Sequence, residues 1–198
     1  MITKPTQQRG FTLIEIMVAI AVLAILLSIG VGSYSSLFKR NELRGASESL
    51  YSLITYAKSE SIKSNALVAV TFKEGTNGSW CAGLKTVPAV ATGASNKCDC
   101  TLATGATSCE IKTSATTSRL VTISGGEFKK VGLTVDTTMS ESTIIFDSVR
   151  GMPSSTGRTL GPLLLKTDEQ QVKVEVNVMG NVKSSCAPVG STTFTACS

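Results

Sequence analysis

An apolar segment near the start of the chain constrains its fold more than any other feature. From Phe11 to Phe38 the sequence is almost wholly apolar, and Lys39 and Arg40 follow it directly. The segment contains roughly 27 residues, whereas a helix needs about 20 to cross a bilayer core about 30 Å thick. We therefore predict one membrane-spanning helix over residues 11–38.

Glu15 is the only charged residue in this apolar segment. A carboxylate within hydrocarbon costs roughly 2.5 kcal/mol or more, so it usually has a charged partner. No basic residue lies within one helical turn after Glu15. If the chain were cut after Gly10, the new amino group of Phe11 would lie about one turn away. We hypothesise that this amino group, from the same chain or from a neighbouring copy, neutralises Glu15.

A helical period continues past the apolar segment. Between residues 39 and 64, apolar residues recur at steps of three and four, while charged residues occupy the other faces. This pattern indicates an amphipathic helix with one buried stripe. The stripe comprises Leu43, Ala46, Leu50, Leu53, Ile54 and Ala57. We predict that the helix ends near Ser64, with Asn65 as the stop.

Residues 65–198 have the pattern of a β-rich domain. Apolar and β-branched residues at 67–72 and 79–84 flank a Gly-Thr-Asn-Gly turn, which predicts a hairpin. Further strands are predicted at 120–123, 131–135, 142–146, 163–165 and 172–178. In the last of these, the inward-facing residues are expected to be Val172, Val174, Val176 and Val178. One long helix followed only by strands indicates an α+β fold with antiparallel sheets.

Six cysteines, all beyond the apolar segment, predict disulfides. They are Cys81, Cys98, Cys100, Cys109, Cys186 and Cys197. An even number placed after a membrane segment is typical of an oxidising compartment. Zinc binding is disfavoured, because the chain has no histidine and no C-x-x-C pair. Residues 85–119 are predicted to form a long excursion held by disulfides, since a loose loop of that length is uncommon in a compact domain.

Sequence motifs for catalysis are lacking. The chain has no histidine to activate its serines and no G-x-x-x-x-G-K-[ST] phosphate-binding loop. We therefore expect neither enzymatic activity nor a cofactor. The net charge of +5 predicts a mildly basic surface rather than an extended nucleic-acid footprint.

The block from Gly10 to Glu15, Gly-Phe-Thr-Leu-Ile-Glu, resembles the class III signal of type IV pilins and pseudopilins. The resemblance implies that residues 1–10 are a leader peptide, which a prepilin peptidase removes by cutting after Gly10. It also implies that the peptidase methylates the new N-terminal residue, Phe11. Glu15 would then pair with the N terminus of an adjacent subunit during assembly, and residues 11–38 would form part of a fibre core.

Within this superfamily, the chain resembles the GspH/FimT group and its FimU-type minor pilins. The passage AKSESIKSNALVAVTF, residues 57–72, is similar to that group's transition from helix to first strand. Further matching positions are Trp80 with Gly83, Ile144–Phe146 with Gly151, and Gly180 after the last valine strand. The resemblance implies a pilin fold, in which a long helix packs on an antiparallel β-sheet head. Its membrane half would be residues 11–38, its amphipathic half 39–64, and the head 65–198.

The same resemblance implies one disulfide pairing. Many type IV pilin heads are closed by a C-terminal disulfide loop, and Cys186 and Cys197 occupy the corresponding place. The other four cysteines would then pair among themselves, in one of about three arrangements. Pairing of Cys98 with Cys100 is disfavoured, because so short a separation strains disulfide geometry.

Two kinds of fibre fit this resemblance. In a type IV pilus, the chain would be a minor pilin at or near the tip, supporting pilus assembly and its initiation, twitching motility and DNA uptake. In a type II secretion system, it would be a GspH-type minor pseudopilin. Its partners would be other major and minor pilins, the prepilin peptidase and the inner membrane. The precursor would cross that membrane once, with a periplasmic head, before entering the fibre at the cell surface.

A third interpretation is DNA capture for natural transformation. Some members of the group bind DNA through a basic motif, G-R-x-R, and the matching place here reads Gly-Asn-Val-Lys, residues 180–183. Lys183 is therefore the one candidate DNA contact there, whereas phosphate binding needs several cations. Other cations would contribute only if the fold brought them together, namely Lys129, Lys130, Arg150 and Arg158.

Overall fold

The computed structural model describes residues 10–88, 96–113, 117–136, 142–154 and 161–197, without the side chains of residues 29–33. One long helix, α1, runs from Leu13 to Ser64, and eleven strands follow it in the described residues. The chain divides into two compact units, Met1–Phe38 and Lys39–Ser198. A long N-terminal helix followed by antiparallel sheets confirms the predicted α+β pilin fold.

In the first unit, Thr12 caps the start of α1. Its carbonyl oxygen accepts the N–H of Glu15 at 3.1 Å and that of Ile16 at 3.4 Å. Its side-chain Oγ1 also accepts the N–H of Glu15, at 3.3 Å. A hydroxyl acceptor at this position satisfies an amide group that has no partner within the helix. The helix therefore begins directly after the Gly10–Phe11 junction.

In the second unit, the amphipathic half of α1 packs on the head through the predicted stripe. The six stripe residues are all buried, with at most 5 % of their surface exposed, so that prediction is confirmed. The helix ends at Ser64, and Asn65 follows with a φ angle of 48°. Asparagine tolerates this left-handed conformation better than most residues, which explains why the helix stops there.

The strands of the second unit form three antiparallel sheets in the described residues. They are β1 (Leu67–Lys73), β2 (Cys81–Val87), β3 (Glu110–Lys112), β4 (Ser118–Leu120), β5 (Thr122–Ser124), β6 (Gly132–Val135), β7 (Thr143–Phe146), β8 (Leu163–Lys166), β9 (Gln170–Val176), β10 (Val182–Pro188) and β11 (Thr195–Ala196). The first sheet has the order β5-β2-β1-β7, and the second has the order β11-β10-β9-β8-β6. β3 and β4 form a separate hairpin.

The turn of the β1–β2 hairpin joins the two large sheets. Gly75 donates its N–H to Leu133 at 3.1 Å and accepts the N–H of Leu133 at 2.9 Å. Nearby, the buried Trp80 donates its Nε1–H to the carbonyl of Val131 at 3.0 Å and stacks on Phe128. The indole thus satisfies its one polar atom while its ring fills the core between helix and sheets.

The excursion after β2 covers the outer face of the first sheet. The structure pairs Cys81 with Cys100 and Cys98 with Cys109. The backbone N–H of Cys98 donates to Thr71 Oγ1 of β1 at 3.2 Å, and Cys109 is fully buried. Both faces of β1 are therefore covered. Among the described residues of the excursion, the tip at 101–107 is exposed throughout, and residues 112–113 and 117–119 are exposed as well.

A third disulfide joins Cys186 of β10 to Cys197 after β11. The presence of disulfides in the chain is thereby confirmed. The arrangement among the other four cysteines is one of those that the sequence left open, and it does not contain the disfavoured Cys98–Cys100 bond.

The structure corrects the strand predicted over residues 172–178. β9 ends at Val176, and Val178 is 72 % exposed instead of facing inward. The side chain of Asn177 accepts the N–H groups of Met179 and Asn181, at 3.0 and 2.9 Å. Such a turn competes with continued strand pairing, so it ends the strand before the alternation of valines is complete.

A second correction concerns residues 120–123, which were predicted as one strand. They fall in two sheets, because β4 ends at Leu120 and β5 begins at Thr122. Between them, Val121 donates its N–H to Cys109 and accepts the N–H of Leu84, both at 3.0 Å. The β1–β2 hairpin itself was predicted correctly, although β2 continues to Val87.

Candidate functional site

The first candidate site is the N-terminal end of α1. Gly10 and Phe11 precede the helix, and 80 % of the Phe11 surface is exposed. Glu15 occupies the third helical position, one turn from the capping residue Thr12. Except for Gly10, the predicted leader lies outside the described residues. The predicted cleavage and methylation positions are therefore exposed beside the helix terminus that carries Glu15.

Thr12 and Glu15 together have the T-x-x-E spacing of a helix capping box. In that motif the side chain at the cap accepts an amide N–H from the third helical residue, as Thr12 does here. A carboxylate in the first turn is also favoured by the partial positive charge of the helix N terminus. Sequence reasoning missed this local role, although the spacing is visible in the sequence. Glu15 thus has a local helix-starting function besides any role between subunits.

The surface around Glu15 is apolar and open. One depression on the helix is lined by Phe11, Glu15, Ile16, Ala19, Ile20 and Leu23. At least half of the surface is exposed for Phe11, Leu13, Ile14, Ile16, Met17, Val18, Ile20, Val22, Leu23, Ile25, Leu26 and Leu27. Contiguous apolar surface of this kind marks an interaction with protein or lipid. Among the described residues, no ion pair involves the Glu15 carboxylate.

The predicted membrane span also includes this surface. In the part of the chain that the structure describes, we find no helix with the combined length and hydropathy needed to cross a bilayer. The span over residues 11–38 stays a prediction.

The second candidate site is an ion-pair anchor on the head. Lys39 Nζ lies 2.7 Å from Asp168 Oδ2 and 3.0 Å from Glu169 Oε1, both in the β8–β9 hairpin. These hydrogen bonds raise the pKa of Lys39, and the bond from Lys39 lowers the pKa of Asp168. The turn between β8 and β9 therefore holds the start of the amphipathic half of α1. No spacing signal could have revealed this contact, since the partners are 129 residues apart.

The candidate DNA contact, Lys183, has an acidic neighbour. It is exposed on β10 and lies directly opposite Glu175 of β9 in the strand register. The two residues line one depression together. Glu175 also forms an ion pair with Lys173, at 3.1 Å. This place therefore carries two cations and one carboxylate, which is fewer free cations than phosphate binding needs.

The other candidate cations do not extend the Lys183 site. Lys130 lines a separate depression with Lys39 and Lys166, and Lys129 is exposed next to it in sequence. Arg150 follows β7 in a different loop. Arg158 lies outside the described residues. The structure therefore does not group the cations named from the sequence around Lys183.

Comparison with known proteins gives two matches to family models. Residues 5–31 match the prokaryotic N-terminal methylation motif. Residues 46–180, more than half of the chain, match the family described as type II transport protein GspH. No curated protein and no solved structure matches the chain.

Proposed function

Because the chain belongs to the GspH family of type II transport proteins, within the type IV pilin and pseudopilin superfamily, we propose that it is a minor pilin of a type IV pilus. It is a structural subunit, without catalytic activity, placed at or near the tip of the fibre. One observation carries the proposal. The methylation motif spans the Gly10–Phe11 junction, and Glu15 lies exposed on the first turn of the helix that follows.

Assembly depends on one charge pair within an apolar contact. The motif is that of a membrane-anchored pilin precursor, from which the prepilin peptidase removes residues 1–10. The amino group of Phe11 on one subunit then pairs with Glu15 on a neighbour. An unpaired carboxylate in an apolar surrounding is strongly unfavourable, so the pair selects one register between adjacent helices. The apolar side chains around Glu15 supply the rest of the contact area.

The precursor is held in the inner membrane by residues 11–38, with the second unit in the periplasm. Three disulfides support an oxidising compartment for that unit. After processing, the subunit leaves the membrane for the fibre, where its partners are other major and minor pilins. In this position it supports the initiation of assembly and twitching motility.

The alternative function is that of a minor pseudopilin in a type II secretion system. The description of the matching family favours this alternative. The disulfide that closes the C terminus, Cys186–Cys197, favours the pilus, because it corresponds to the loop of many type IV pilin heads. Deletion of the gene distinguishes the pilus function from the secretion function. Loss of surface fibres and twitching supports the pilus, whereas loss of protein secretion with intact fibres supports the pseudopilus.

DNA capture is not part of the proposal, because Glu175 lies opposite Lys183 and pairs with Lys173, and because the other candidate cations that the structure describes lie elsewhere. Binding of the purified chain to duplex DNA at several salt concentrations tests this choice. A salt-dependent mobility shift at micromolar protein, lost in Lys183→Ala, would restore DNA capture as a function.

The central experiment is mass spectrometry of the chain from sheared filaments and from membranes. We expect an N terminus of methylated phenylalanine at position 11 in the filament fraction. An intact Met1 in filaments would contradict processing, and absence of the chain from every filament preparation would contradict its role as a subunit.

A further inference from the structure

Four large apolar side chains are exposed near the last two turns of α1 and the two turns that contact them. They are Ile62 (47 %), Val149 (79 %), Val178 (72 %) and Met179 (55 %), and we call them the two-turn patch. Single exposed apolar residues are ordinary on protein surfaces, but a contiguous group more often marks an interaction site.

Two glycines bring the parts of the two-turn patch into contact. A Cβ atom on Gly180 would come 2.6 Å from the carbonyl oxygen of Gly151, and one on Gly151 would come 2.8 Å from Cδ1 of Ile62. Lys58 adds a hydrogen bond, from Nζ to the carbonyl of Met179 at 3.1 Å. The helix and both turns thus meet at one place, although their residues are far apart in the sequence.

The first turn, which presents Val149, is fixed by one carboxylate. Asp147 accepts the N–H groups of Val149, Arg150 and Met152 at 2.8, 2.6 and 3.2 Å. Gly151 has a φ angle of 62°, which other residues rarely adopt. Val149 therefore projects from a turn whose backbone amides are already bonded.

The second turn, which presents Val178 and Met179, is fixed in the same way. Besides the two bonds to the Asn177 side chain, the N–H of Gly180 donates to the carbonyl of Asn177 at 2.8 Å. Gly180 has a φ angle of 72°. Turns usually carry polar residues at such exposed positions. Apolar side chains on an ordered turn lose little conformational freedom on binding, which favours docking.

The charges around the two-turn patch are mainly positive. Arg150 and Lys63 are exposed, and Lys58 is half-buried. Asp147 binds backbone amides, and Glu60 is 5 % exposed and lies 3.7 Å from Lys63 Nζ, so these two charges offset each other. Arg150 is then the exposed cation beside the patch for which the structure gives no acidic partner among the described residues. Two copies meeting at this surface would bring their Arg150 side chains together, which is unfavourable. A partner that carries carboxylates around an apolar surface fits better.

From this geometry we infer that the two-turn patch docks a different subunit of the same fibre, through an apolar surface bordered by Asp or Glu. The inference rests on the proposed function, because it takes the partner from the fibre. Ile62 lies near the end of α1, roughly 35 Å along the helix from Lys39 at 1.5 Å per residue. The docking surface and the Lys39 anchor are therefore separate sites on the head.

Photocrosslinking in cells that produce the full-length chain tests this inference. A photoreactive amino acid replaces Val178 in one strain and Val189 in another. Val189 is a matched control, since it is an exposed valine whose N–H bonds to Glu169, in the hairpin that Lys39 anchors. We expect about tenfold more crosslinked product from position 178, as for residues central to an interface. The crosslinked peptide, identified by mass spectrometry, should belong to another fibre subunit and contain Asp or Glu beside apolar residues.

Arg150→Glu provides the second measurement. It should lower the crosslink from position 178 about tenfold by reversing the charge that faces the partner, while the chain is still processed and present in filaments. The inference would be overturned if position 178 crosslinked to a second copy of the chain or to lipid, or if positions 178 and 189 crosslinked at the same level. If filaments still contain the processed chain, these results would leave the proposed function intact. Absence of processed chain from filaments would overturn the proposed function together with the inference.

Discussion

Gly83 of β2 lies directly against Cys109. A Cβ atom added to Gly83 would come 2.6 Å from the Cβ atom of Cys109 and 3.2 Å from Cγ2 of Thr122. Real Cβ atoms do not tolerate the first of these distances, so a side chain at position 83 and the present position of Cys109 exclude each other. This contact explains, without reference to any family, why glycine stands three residues after Trp80.

Gly83→Ala should therefore destabilise the second unit by overpacking, at a cost of about 1–3 kcal/mol. The strain falls where the Cys98–Cys109 disulfide meets β2. Thermal or urea unfolding of the purified, oxidised full-length chain in detergent measures the effect. Ser79→Ala, at an exposed position just before β2, is the control and should change stability little. An unchanged unfolding midpoint for Gly83→Ala would show that the excursion can shift to accommodate the added methyl group without loss of stability.

Two of the disulfides offer a matched comparison, because each closes a loop with a sequence separation of 11. Loop closure alone predicts about 2–3 kcal/mol for either one. Cys98 and Cys109 are buried residues of the excursion, whereas Cys197 is exposed. Replacing the first pair by alanine should therefore cost more stability than replacing Cys186 and Cys197, since it also loosens the cover of the first sheet. Equal losses in denaturant unfolding would assign the whole effect to loop closure.

Local patterns predicted the helix and the first hairpin because both depend on neighbouring residues. The stripe from Leu43 to Ala57 follows from helical periodicity, and the end at Asn65 from the conformations open to asparagine. Val178 was predicted wrongly because alternation alone could not show that the side chain of Asn177 would close a turn. A local hydrogen bond thus prevailed over a periodic pattern.

Patterns of neighbouring residues could not predict long-range contacts. The pairing of Cys81 with Cys100 depends on how the excursion folds over β1, and the Lys39 anchor depends on a hairpin far along the chain. The two-turn patch needs Gly151 and Gly180 to meet, which no spacing in the sequence reveals. The Gly10–Glu15 block, in contrast, consists of neighbouring residues, so it could be interpreted from the sequence alone.

Acid should weaken the turn that presents Val149. Burial alone would raise the pKa of Asp147, but the backbone N–H groups of Arg150, Val149 and Met152 together lower it below its ordinary value. A carboxyl group whose pKa is lower in the folded state stabilises the fold above its unfolded-state pKa. That contribution disappears as the pH falls through the folded-state value.

Asp147→Asn should remove this pH dependence. Between about pH 5 and about pH 2, the unmodified chain should lose stability more steeply than the variant, because only the former takes up a proton at this position on unfolding. Unfolding midpoints across this pH range give the two slopes. Parallel slopes would show that Asp147 does not stabilise the turn through its charge.

Glu15 has two roles that substitutions can separate. Glu15→Gln retains the T-x-x-Q form of the capping box but removes the negative charge. Thr12→Ala retains the charge and removes the hydroxyl that accepts the N–H of Glu15, at a cost of about 1 kcal/mol to the helix terminus. If charge pairing drives assembly, Glu15→Gln should be processed normally and yet enter filaments poorly, as should Glu15→Val.

Thr12→Ala is the matched control, and it should enter filaments at close to the normal level. Quantitative immunoblots of sheared filaments and membranes, with mass spectrometry of the N terminus, distinguish processing from incorporation. Normal incorporation of Glu15→Gln would contradict the charge-pair mechanism. Poor incorporation of both Glu15→Gln and Thr12→Ala would instead show that assembly requires the capped start of α1 as well as the charge of Glu15.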